Sequence, residues 1–262
     1  MTWNKDGGVI IKNLISKKII KNCFNTIKKI EKQKTHIPTS IINEIYKNKR
    51  YIRYIPKCHE SVSEFLKLIN SAILKKSSEL LKSNVYFWDS DFHSRWGDEA
   101  VNTPPHQDSF LKCLEENNAD MLTCYIPLTE INKHSNPMCI IKGSFKKKTL
   151  SHKKSKKLGF SSVIEENETF LDKKLLKKEQ EVLLMPGDVF FFHGKTIHYS
   201  KIDKNKKKKT KRRMAVAIRI LGENVKFSKI KLKKYQDNVR YNRSFAIKKG
   251  LTRKNLNSVK SI

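Results

Sequence analysis

Met185-Pro186-Gly187-Asp188-Val189-Phe190-Phe191-Phe192-His193-Gly194-Lys195-Thr196-Ile197-His198-Tyr199-Ser200 is the stretch that decides the fold. Pro-Gly-Asp signals a tight turn, because proline presets one turn dihedral and glycine accepts a positive φ. The apolar run Val189 to Phe192 reads as a buried strand, Gly194 as a second turn, and the segment carrying His198 as another short strand. Working outward, the same texture begins after Ser83. Val85 to Trp88, Leu122 to Leu128, Met138 to Ile141, Val182 to Met185 and Met214 to Leu221 are short apolar runs punctuated by Gly, Pro, Asn and Asp. Many short strands with turn signals argue for a β-sandwich or barrel. Strand and helix patterns do not alternate, which argues against a Rossmann-like parallel sheet.

The first third reads differently. Ser16 caps an expected helix to about Lys32, with Ile19, Ile20, Phe24, Ile27 and Ile30 on one face. A second short helix is expected after Ser40, through Ile41, Ile42 and Ile45. A third is expected from about Ser61 to Leu81, with Val62, Phe65, Leu66, Ile69, Ile73, Leu74, Leu80 and Leu81 spaced three and four apart. The expected organisation is one domain over residues 1–262: a helical N-terminal part 10–83, an all-β core 84–227 and a basic C-terminal extension 228–262.

At 262 residues the chain buries about 70% of its unfolded surface and needs no disulfide or metal staple. Lys plus Arg number 56 against 25 Asp plus Glu, a net charge of +31. Of these, 47 are Lys and 9 are Arg, whereas nucleic-acid readers favour the bidentate guanidinium. The Lys-, Asn- and Ile-rich composition matches A+T-rich coding. The charge is therefore read as a solvated surface, with a nucleic-acid partner as the less favoured alternative. The segments Lys146 to Lys157 and Lys201 to Arg213 are read as loops, and the lysine runs lack interleaved aromatics. The five cysteines, Cys23, Cys58, Cys113, Cys124 and Cys139, form no Cys-x-x-Cys motif, and the polar N-terminus has no signal-like apolar segment. A reducing, cytoplasmic location is expected. The C-terminal Ser258 to Ile262 is not a peroxisomal address, and no run approaches the ~18 apolar residues of a membrane helix.

Three segments carry chemistry. In Thr103-Pro104-Pro105-His106-Gln107-Asp108, an imidazole and a carboxylate two residues apart in extended chain share one face. His198 offers a third ligand, which would complete the two-histidine, one-carboxylate facial set of non-haem Fe(II) oxygenases. The alternative for His198 is a hydrogen-bonded core histidine. Arg212-Arg213-Met214-Ala215-Val216-Ala217-Ile218-Arg219 enters a strand with a guanidinium suited to the distal carboxylate of a dicarboxylate cosubstrate. Either Arg212 or Arg213 can fill that role. Alternation favours Arg213 and leaves Arg212 for solvent.

These segments together resemble the phytanoyl-CoA dioxygenase family of Fe(II)/2-oxoglutarate-dependent oxygenases. Thr103 to Asp108 resembles the metal-binding strand, Tyr125-Ile126-Pro127-Leu128 the Trp-x-x-Leu strand, and Ser135 to Ser144 the segment that reads NGCL…PGSH in the family. Pro186 through His198 resembles the second metal strand, Arg213 onward the arginine strand, and Asp6-Gly7-Gly8-Val9-Ile10 the opening; together they span about residues 4 to 227. Departures are Phe145 for a His, Pro137 for a Gly, Asp203 for an Asn, and an arginine placed a few residues late after Lys206 to Lys209. The resemblance implies a double-stranded β-helix, a cupin-like jelly-roll barrel, with flanking helices. It implies Fe(II) held by His106, Asp108 and His198, and 2-oxoglutarate held by Arg213 with Ser200 and Tyr125. The implied activity is hydroxylation of a small organic substrate with O2, coupled to decarboxylation of 2-oxoglutarate to succinate and CO2. Relatives that halogenate carry a small residue in place of the carboxylate, so Asp108 implies hydroxylation. The alternative is a non-catalytic or nucleic-acid-associated basic protein on the same barrel.

Overall fold

Two facing antiparallel sheets form the core of the protein. The structure, a computed structural model, describes residues 1–33, 41–97, 103–108, 114, 120–147, 149–154, 162–164, 176–200, 211–230 and 233. The helices are α1 (Trp3–Asp6), α2 (Lys17–Lys32), α3 (Cys58–Ser61) and α4 (Ser71–Leu81). The strands are β1 (Gly8–Ile11), β2 (Ile42–Tyr46), β3 (Lys49–Pro56), β4 (Val85–Trp96), β5 (Thr103–His106), β6 (Met121–Pro127), β7 (Met138–Ile141), β8 (His152–Lys154), β9 (Ser162–Ile164), β10 (Glu179–Val182), β11 (Val189–His193), β12 (His198–Ser200) and β13 (Arg212–Gly222). A seven-stranded sheet runs β1-β11-β6-β13-β4-β3-β2, a four-stranded sheet runs β10-β7-β12-β5, and β8 pairs with β9. This is the jelly-roll architecture expected from the run of short strands.

The large sheet is covered on both faces, which explains why its strands read as unbroken apolar runs. On β11, Val189 and Phe191 pack under the helices, while Phe190 and Phe192 face the small sheet. On β13, Met214, Val216, Ile218 and Ile220 face the helices, and Ala215 and Ala217 face the interior between the sheets. Helix α2 has the expected bounds: the Ser16 side chain accepts from Lys18 N, and Ile20, Cys23 and Ile27 are buried.

Two N-terminal expectations need correction. The segment after Ser40 is not a helix but strand β2, paired with β3 across the two-residue turn Lys47–Asn48. Both turn residues have positive φ, 49° and 62°, the geometry of a tight hairpin. Isoleucines and a tyrosine beside such a turn satisfy a strand better than a short isolated helix. The helix expected from Ser61 to Leu81 is broken into α3, a 3-10 turn at Ser63–Leu68, and α4. Asn70 makes the break, because its side chain accepts from Ile73 N at 3.1 Å and starts a new helix. The strand expected at Val182 to Met185 lies slightly earlier, at Glu179–Val182, with Leu184 making an isolated bridge to Ile131.

Cys23, Cys58, Cys124 and Cys139 are buried thiols. Among the described residues no helix is long and apolar enough to cross a membrane. Cys113, Asp203, the Lys206 to Lys209 run and nearly all of the extension 228–262 lie outside the described residues.

Candidate metal centre

The interior between the two sheets carries the chemistry. His106 on β5 and His198 on β12 are directly opposite in the small sheet, with ring centroids 4.1 Å apart. His106 Nδ1 bonds the Pro104 carbonyl at 2.8 Å, and His198 Nδ1 bonds the Thr196 carbonyl at 3.0 Å. A carbonyl only accepts, so each ring carries its proton on Nδ1 and its lone pair on Nε2. That arrangement is how metal-ligating histidines are usually oriented. Asp108, 6% exposed, accepts at Oδ2 from Thr123 Oγ1 at 2.7 Å, which leaves Oδ1 as the oxygen for a metal. As the side chains stand, no group of three His, Cys, Asp or Glu among the described residues closes to metal-holding distance. The structure therefore pairs the two imidazoles directly, while Asp108 is held by Thr123 of the facing large sheet. The donor chemistry, two neutral imidazoles and one carboxylate, fits divalent iron.

Gln107 lies between the two candidate ligands and turns the other way. Its Nε2 donates to the Lys195 carbonyl at 2.8 Å, and its Oε1 accepts from Leu150 N at 2.9 Å. It ties the 149–152 segment to the turn before β12.

Burial drives the electrostatics. It pulls His106 down to about 3, with the neighbouring His198 adding to the effect, and pulls His198 down to about 4. Half-buried His93 is likewise held at about 3 and His193 at about 4. Unfolded histidine titrates near 6.5, so between that value and about 4 the unfolded chain binds more protons than the folded one. Stability therefore falls as pH falls through this window. His59 is lowered by burial too, and burial raises the Asp108 and Asp89 carboxyls, an opposing effect from two groups against five. The metal-free protein is expected to unfold at lower urea concentration at pH 5 than at pH 7. A higher midpoint at pH 5 would contradict this balance.

Arg213 enters the interior at the other side of His198. It is 5% exposed; Nη1 donates to the Asn136 carbonyl at 2.6 Å, and Nη1 and Nη2 reach Ser200 Oγ at 3.2 and 3.3 Å. Tyr125, buried on β6, lines the same interior. Alternation does place Arg212 on the opposite face, but that face is not solvent, and neither arginine is a surface residue. The Arg212 side chain is 9% exposed beneath α2. Its Nη2 donates to Glu31 Oε1 at 2.5 Å and to the Ile52 carbonyl at 3.1 Å, and its Nε donates to Ser94 Oγ at 2.7 Å. The expectation of an exposed Arg212 failed because a covered sheet has no solvent face. Arg212→Lys keeps the charge but loses the fork. It is expected to cost about 1–2 kcal/mol, measured by urea unfolding.

Sequence reading missed Thr123 and Asn136. Thr123 is the single polar residue in the fully buried strand β6, a signal in itself. Asn136 has φ 53°, and its buried Nδ2 has no hydrogen-bond partner among the described residues. Its place directly before Pro137, at the end of a 3-10 turn, is legible only as a turn.

Comparison with known proteins bears on the family and the fold. A family model described as phytanoyl-CoA dioxygenase matches residues 3–214. No curated protein matches the sequence. Among solved structures, the epimerase SnoN in complex with Fe3+, alpha ketoglutarate and nogalamycin RO has a TM-score of 0.64 at 13% identity, covering 86% of this chain and 82% of that one. EctD from S. alaskensis with 2-oxoglutarate and 5-hydroxyectoine has a TM-score of 0.66 at 15% identity, covering 86% and 76%. AviO1 from Streptomyces viridochromogenes Tue57 has a TM-score of 0.62 at 11% identity, covering 86% and 93%. At these identities the likenesses show the fold.

Proposed function

The chain belongs to the phytanoyl-CoA dioxygenase family, iron- and 2-oxoglutarate-dependent oxygenases, and from that membership we propose that it hydroxylates a small organic substrate inside the jelly roll. The observation that carries the reading is the paired His106 and His198 on one side of Ser200 and the buried Arg213 on the other. Iron with 2-oxoglutarate and O2 supplies the oxidising chemistry: decarboxylation to succinate and CO2, coupled to replacement of a substrate C–H by C–OH.

The chain's own residues do the rest. His106 and His198 present Nε2, each held in one tautomer by a backbone carbonyl. Asp108 presents Oδ1 while Thr123 holds Oδ2. Arg213 takes the distal carboxylate of 2-oxoglutarate, with Ser200 Oγ fixing the guanidinium. Tyr125 and the apolar interior exclude water and strengthen these charged contacts. Asn136 supplies a further donor, its buried Nδ2, next to the carbonyl that Arg213 grips.

Conversion of 2-oxoglutarate to succinate that requires Fe(II) and O2 tests the reading. Retention of 2-oxoglutarate through a long incubation would overturn it. Asn136→Gly keeps the positive φ and the carbonyl while removing the amide. It is expected to weaken 2-oxoglutarate binding about 5- to 10-fold by calorimetry, the value of one hydrogen bond. Unchanged affinity would remove Asn136 from the site.

A further inference from the structure

Four cross-strand rows line the inner face of the large sheet. Arg213 stands opposite Arg95, Ala215 between Pro127 and His93, Ala217 between Tyr125 and Asp91, and Arg219 between Thr123 and Asp89. Two alanines thus separate two arginines whose backbones are about 20 Å apart, at ~3.3 Å per residue. The Arg213 end is already assigned to the cosubstrate. The Arg219 end lies on the other side of the candidate metal ligands, because Asp108 is bonded to Thr123, the neighbour of Arg219.

The charges at the Arg219 end do not balance. Arg219 pairs with Asp91 at 2.7 Å, and Asp91 Oδ1 also accepts from Tyr54 Oη at 3.0 Å and from Lys57 N at 3.3 Å. Asp89, half-buried, stands opposite Arg219 and accepts from the adjacent Ser90 N at 2.8 Å. Among the described residues no ion pair reaches it. Its carboxyl is pushed up to about 7, by burial first and by Asp91 second. His93, beside Tyr54 with ring centroids 4.9 Å apart, stays uncharged and brings no cation. Two carboxylates, Asp91 buried and Asp89 half-buried, therefore draw on the Arg219 guanidinium, while the nearby Lys57 ammonium is paired to Glu60, an arrangement that a second cation would complete.

We propose that Asp89, with Asp91 and Arg219 behind it, receives a cationic nitrogen of the substrate, so that the enzyme acts on amine-bearing small molecules. This rests on the hydroxylase reading above and names the substrate class for that same site. The interior selects against what the exterior attracts. A surface of net charge +31 draws anions such as acyl-CoA, whereas a carboxylate pair beside the reacting centre disfavours them.

The test uses the full chain with Fe(II) and 2-oxoglutarate under anaerobic conditions, and four probes of one chain length: hexylamine, hexanol, hexanoate and hexanoyl-CoA. The thermal unfolding midpoint reports binding. Hexylamine is expected to bind about tenfold more tightly than hexanol and to leave hexanoate and hexanoyl-CoA further behind. On admission of O2 it is expected to stimulate succinate formation most. Asp89→Asn, close to isosteric, is expected to bring hexylamine and hexanol within about twofold of each other. Equal binding of the probes, binding of none, preference for hexanoyl-CoA, or an undiminished amine preference in Asp89→Asn would each overturn the proposal. Failure of the hydroxylase reading would show earlier, as absence of 2-oxoglutarate binding by the wild-type protein before any probe is added.

Discussion

Asp108→Ala is expected to abolish hydroxylation and to weaken Fe(II) binding by roughly a hundredfold or more, since even outer contacts to metal ligands are worth 10- to 100-fold. The two imidazoles are neutral donors, so Asp108 is the protein's only anionic ligand in the proposed set. Burial already disfavours its charge in the metal-free protein, and a divalent cation is what would restore the ionised form. Removing the carboxylate leaves the cation uncompensated in a low-dielectric interior and strips Thr123 of its acceptor. The measurements are anaerobic Fe(II) titration and product mass. The wild-type product in chloride buffer is expected to gain oxygen and not chlorine, because Asp108 takes the position that a halide would need. Full activity of Asp108→Ala, or a chlorinated wild-type product, would remove Asp108 from the metal centre.

Arg213→Ala is expected to weaken 2-oxoglutarate by about 2–3 kcal/mol, roughly 30- to 150-fold in Kd, the loss of a buried charge-assisted pair. Calorimetry with the metal-loaded protein measures it. Arg213→Lys is expected to recover part of the affinity, since a single ammonium replaces the charge but not the planar fork held by Ser200 and Asn136. Arg212 variants are expected to shift the unfolding midpoint and leave cosubstrate affinity in place, because Arg212 is tied to Glu31 on the helical side of the sheet. Unchanged affinity in Arg213→Ala would move the carboxylate contact to Arg219, the other arginine of β13 on the same face.

The strands were the most legible part of the chain. Met138–Ile141 has the bounds that its apolar run suggests, and Val189–His193 exceeds its run by one residue, because turns at Pro186-Gly187 and Gly194 are local chemistry. Helix α2 was equally legible from its cap and its period. Strand β2 was not, because Ile42 and Ile45 satisfy a helical spacing and a half-buried strand alike. Only pairing with β3 separates the two. The site divides the same way. Strand alternation places Arg213 inward, and the two-residue step in Thr103 to Asp108 sets His106 and Asp108 apart from Gln107.

What the sequence by itself determined, then, is the set of short strands, the inward register of Arg213, and the candidate ligands, all of which follow from period-two geometry and turn residues close in the chain. What only the tertiary structure decided is what each face meets. It buried Arg212 under a helix against Glu31, joined Asp108 to Thr123, and left the Asn136 amide unpartnered near Arg213. It also gathered Asp89, Asp91 and Arg219 on one wall. These contacts join residues up to 181 positions apart. Alternation says that a side chain points to one face of a sheet, but the partner on that face is supplied by chain that arrives from elsewhere.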